Sequence, residues 1–147
     1  MFHVRITSRP AELEAGPEIA IEGQVLCTVT RDELAASLFV VSFEEAAAAL
    51  GRLPRTIIEP DGSFVLSGEE QGRRWQLDGA LYDRSDHLSH VELRGNSPSA
   101  VLDQLLGCLG WPENQVIFEI ISRSVYVDEP TFRRWLEKIP AEQRNAP

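Results

Sequence analysis

The chain has 147 residues, 43% of them hydrophobic and 25% charged, with a formal net charge of −9. This is the composition of a soluble globular protein, and a chain of this length buries roughly 70% of its unfolded surface without disulfide or metal staples. The acid excess disfavours nucleic acid and anionic membranes, which are bound through Lys and Arg, and leaves a basic protein surface as the favoured partner.

"FHVRI" alternates apolar and polar residues, so Phe2, Val4 and Ile6 are expected on the core face of a first strand, with His3 exposed opposite them. "TSRPAELEAGPE" carries two prolines, a glycine and three acids and reads as a surface loop. Residues 19–29 read as strand, in two pieces broken at "EGQ". Thr30 with Glu33 fits a capping box, but "LFVV" is also strand material, so residues 31–41 fit helix or strand. Ser42 with Glu45 is a second capping box. It opens a helix with Phe43, Ala46, Ala47 and Leu50 on one face and Gly51 at its end.

Residues 55–95 read as an antiparallel meander of four strands, with turns at "PDG", at "GEEQG" and near Asp86. Asn96-Ser97-Pro98 starts a helix, with Ser97 as N-cap and Pro98 at the first helical position. Its apolar stripe runs from Val101 to Leu109. "QVIFEII" is expected to be a strand buried on both faces, with "VYV" beside it. Asp128 and Pro130 introduce a last helix with Phe132, Trp135, Leu136 and Ile139 at helical spacing. Trp75, Trp111 and Trp135 all fall in apolar patterns and are expected in the core.

The expected fold class is therefore α+β: a mainly antiparallel sheet with a central four-strand meander and about three helices packed on one face. Residues 1–139 are expected to form a single domain, and 140–147 a frayed tail. Pro60, Arg73, Arg74 and Arg84 are candidates for guarding sheet edges against unwanted pairing. The N-terminus lacks a charged segment followed by an apolar run, so no signal peptide is expected, and the location is expected to be cytoplasmic.

Cys27 and Cys108 lie in apolar runs and are expected to be small buried hydrophobes. Neither has a CxxC partner or zinc-ligand spacing, and the serines lack a nucleophile elbow. No phosphate-binding glycine loop is present, and no cofactor is expected.

The densest chemistry lies in "DRSDHLSH". Asp83, Asp86, His87 and His90 bring two carboxylates and two imidazoles into eight residues, enough for a metal site if they converge. On a helix they would share a face, but the flanking "ALY" and "HVEL" are strand-like. In an antiparallel pair, opposed residues share a face. Leu81 opposite Val91 matches the apolar faces, sets Asp78 against Arg94 and Tyr82 against His90, and leaves Ser85-Asp86-His87 as a three-residue loop. Asp78, Glu92 and His90 are alternative acid/base groups on the polar face.

The favoured functional expectation is a non-enzymatic protein-binding domain, in an inhibitor, immunity-like or adaptor role, acting on a basic protein surface. Its partner-binding candidates are the acids of the first third: Glu12, Glu14, Glu18, Glu22, Asp32, Glu33, Glu44 and Glu45. The alternatives are a metal-binding or metal-dependent protein using Asp83, Asp86, His87 and His90, and an accessory subunit or homodimer formed through a sheet edge.

Overall fold

A computed structural model describes residues 1–30 and 37–138. Among these residues the strands are β1 (Phe2–Ser8), β2 (Ala15–Ile21), β3 (Gln24–Val29), β4 (Thr56–Ile58), β5 (Ser63–Glu70), β6 (Arg73–Arg84), β7 (His87–Asn96), β8 (Val116–Ile120) and β9 (Val125–Asp128). The helices are α1 (Phe43–Gly51), α2 (Ser99–Gly107) and α3 (Glu129–Lys138), with a short 3-10 turn at Ile121–Arg123. This is an α+β fold on one sheet of order β2-β3-β9-β8-β1-β7-β6-β5-β4, with every pair antiparallel. The four strands β4 to β7 are successive neighbours, but they occupy one side of the strand order rather than its centre.

Alternation along the strands selects the core. Val4 pairs with Leu93 and Ile120, Ile6 with Val91 and Phe118, and Leu77 with Leu66, and all of these side chains are buried. Ala46 and Leu50 of α1, Leu102, Leu105 and Leu106 of α2, and Phe132 and Trp135 of α3 belong to the same cluster. Phe132 stacks on Phe118 at 4.3 Å and meets Phe2 edge-on at 5.7 Å, fastening α3 to the middle strands. Gly79 faces Phe64, and a Cβ there would run into the Phe64 ring. Arg133 clasps α2 to α3: it pairs with Asp103 at 2.7 Å and Glu129 at 3.0 Å, donates to Ser99 Oγ, and lies 5.3 Å from the Trp111 ring centroid.

Several expectations shift. β2 starts inside the stretch read as loop, because Pro17 lacks only a donor and an outermost strand tolerates that loss. The Ser42–Glu45 capping box forms in both directions at 3.0 Å. α2 starts one residue late: Pro98 is its N-cap, and no side chain caps it. Asp128 accepts the Thr131 N–H at the start of α3. The two outermost strands are β2 and β4, so Arg73, Arg74 and Arg84, all on the interior strand β6, guard no edge. Pro17 lies on one outer strand and Pro60 just beyond the other. Cys27 is exposed rather than buried: on β3 the core positions are Leu26 and Thr28, which turns Cys27 outward. Cys108 is half-buried, and burial pushes its thiol pKa up. Of residues 31–41, expected as helix or strand, the described 37–41 form neither; the Thr30–Glu33 box reaches outside the described residues, and Ile139 and the 140–147 tail lie outside them.

Candidate functional site

The "DRSDHLSH" hairpin takes the expected register: Asp78 opposite Arg94, Leu81 opposite Val91 and Tyr82 opposite His90. Tyr82 and His90 stack at 4.4 Å with their planes 13° apart. The tip differs from the three-residue loop. Arg84 pairs with His87, so the turn is Ser85-Asp86 alone, both at positive φ (53° and 67°). The residue so released appears as a bulge at Ser89, between the Tyr82–His90 and Asp83–Leu88 pairs. The bulge reverses the alternation, so Leu88 is fully buried while His90 stays on the polar face. Leu88 also ties in the segment before α1: its C=O accepts the Phe39 N–H at 2.9 Å, and its N–H donates to Val41 C=O at 3.3 Å.

The four proposed metal ligands do not gather. Among the described residues no three His, Cys, Asp or Glu side chains form a group that could hold a metal ion. The three acid/base candidates have different partners. Asp78 accepts from Gln76 at 2.9 Å. Glu92 lies 2.7 Å from His3 Nε2, and that hydrogen bond holds its carboxyl below the usual glutamate range. His3 is thereby part-buried and paired rather than free on the surface. Burial, with Arg5 nearby, lowers the His90 pKa. Arg5 pairs with Glu119 at 3.0 Å on the neighbouring strand, so the polar face is bound together across β7, β1 and β8.

The acids separate into two groups. Glu14, Glu18 and Glu22 follow β2, with Glu12 in the connection from β1. Glu22 pairs with Arg123 at 2.8 Å. Glu44 and Glu45 lie at the start of α1, which meets the other part of the sheet through the Ser42–His87 bridge. Five strand spacings, about 24 Å, separate β2 from β7. The six described candidates therefore form no single patch, and Asp32 and Glu33 lie outside the described residues.

Glu44 and Glu45 instead join acids from elsewhere in the chain. The Phe43 ring lies against Gly62 in the β4–β5 turn, where a Cβ would approach it to 2.9 Å at φ +97°. Gly62 C=O accepts the Leu81 N–H of β6 at 3.0 Å. These contacts bring the first turn of α1, the β4–β5 turn and the β6–β7 tip to one corner. Glu44, Glu45, Glu59, Asp61, Asp83 and Asp86 lie on these segments and are all exposed, as are Arg84 and His87. Two of the carboxylates have local duties: Glu45 completes the α1 cap, and Asp61 accepts from Ser63 N–H and Oγ. Those Ser63 bonds hold the Asp61 carboxyl below its usual range. Glu59 and Asp61 were not sequence candidates, since each looks like an ordinary turn residue until the turn is placed beside α1.

At the opposite end, a hollow of about 1030 Å³ lies between the β5–β6 hairpin and the start of α2, lined among others by Glu70, Arg73, Arg74, Trp75 and Ser99. Trp75 fits flat against β5 because residue 68 is glycine; a Cβ there would lie 2.5 Å from the indole. Among the described residues no helix is long and apolar enough to cross a membrane. Compared with protein-family models, with curated proteins and with solved structures, the chain matches none.

Proposed function

We propose that the chain is a non-enzymatic, single-domain binding module that covers a basic protein surface with the acidic corner formed by α1, the β4–β5 turn and the β6–β7 tip. The observation that carries this reading is that six exposed acidic residues lie on three segments that pack against one another. An excess of like charge opposes folding, and among the described residues the carboxylates of Glu44, Glu59 and Asp86 enter no hydrogen bond or ion pair. A basic partner would both neutralise them and be steered toward them. In this reading the three helices cover one face of the sheet, and the β4–β7 meander is the frame that presents the corner. Glu12, Glu14 and Glu18 form a separate, weaker acidic edge.

The test begins with cross-linking in cells of the native source and identification of the captured protein. The purified partner is then titrated against wild type and against a Glu44→Gln, Glu59→Gln, Asp86→Asn variant, at low and at high salt. The expected result is one-to-one binding that weakens about tenfold or more with salt and again with the triple substitution. A partner that binds both proteins equally at both salt concentrations removes the corner from the interface.

A further inference from the structure

We draw no further inference here: the strongest candidate, the hollow between the β5–β6 hairpin and the start of α2, sets Glu70 beside Arg73 in the same wall, and nothing in the structure shows what would occupy it.

Discussion

The two ends of the sheet handle charge differently. At the end bearing the β5–β6 turn, Glu70 stands opposite Arg73 and Glu69 opposite Arg74. In the hairpin, Arg73 and Arg74 each face an acid through the register itself. At the end bearing α1's first turn, the Ser85-Asp86 turn and the β4–β5 turn, three packed segments carry six exposed acids along with Arg84 and His87. A hairpin can balance its own charges because its strands are adjacent in sequence. A corner assembled by tertiary contact collects whatever each segment carries.

The corner can be broken at its foundation. Leu88 is fully buried and holds the segment before α1 through both of its backbone groups. Leu88→Ala is expected to cost about 2–5 kcal/mol, the range for emptying a buried leucine site. Urea unfolding gives the cost. Amide exchange gives the location: the Phe39 N–H should lose more protection than the amides of the β5–β6 hairpin. Equal loss at both ends would mean that Leu88 supports the whole sheet and not this corner. A smaller effect is expected at the cap. Ser42→Ala removes the acceptor for the Glu45 N–H and should cost about 0.5–2 kcal/mol. A change below that range would show that the His87 bridge, rather than the cap, fixes the start of α1.

Legibility in the sequence followed the range of the interaction. The Ser42–Glu45 box, the β6–β7 register and the doubly buried β8 depend on residues close in sequence or on alternation, and all were readable. The hairpin tip was misread because a bulge at Ser89 conserves the face pairing of Leu81 and Val91 while reversing Leu88. Parity counting from one side of a bulge cannot detect it. β2 was misread because its position at the sheet edge, which excuses Pro17, is a fact about strand order. Cys27 was misread because hydrophobicity was taken for burial in a strand whose core positions are Leu26 and Thr28. The acidic corner was half legible: Glu44 and Glu45 were candidates. Asp83 and Asp86 were candidates only for the alternative metal site, and Glu59 and Asp61 reach the corner through the contact of Phe43 with Gly62.

His90 offers a finer probe of the polar face beside the corner. Its folded pKa is lowered by burial and by Arg5, so the folded state holds it neutral more strongly than the unfolded chain does. The stability it contributes is therefore complete above the ordinary histidine value near 6.5. It is lost as pH falls below that value toward the lowered folded pKa. Between about pH 7.5 and pH 5, wild type should lose more stability than His90→Gln, measured by urea midpoints on both proteins. Parallel pH curves would show that the Tyr82 stack tolerates the imidazolium.

The smallest expected effect separates function from fold most cleanly. Replacing Glu44, Glu59 and Asp86 by their amides removes three exposed charges that have no side-chain partner among the described residues. If the fold used them, unfolding free energy would fall by the sum of three lost interactions. If they are held only against mutual repulsion, the variant should stay within about 0.5 kcal/mol of wild type, or become slightly more stable. Any gain should shrink as salt is added, since salt screens the same repulsion in wild type. A matched variant at the other end, Glu69→Gln with Glu70→Gln, removes acids that stand opposite Arg74 and Arg73 and should lower stability slightly instead. Opposite signs from the two ends would show that their charges differ in kind. Equal losses would mean that the acidic corner is ordinary surface, already balanced by contacts within the fold.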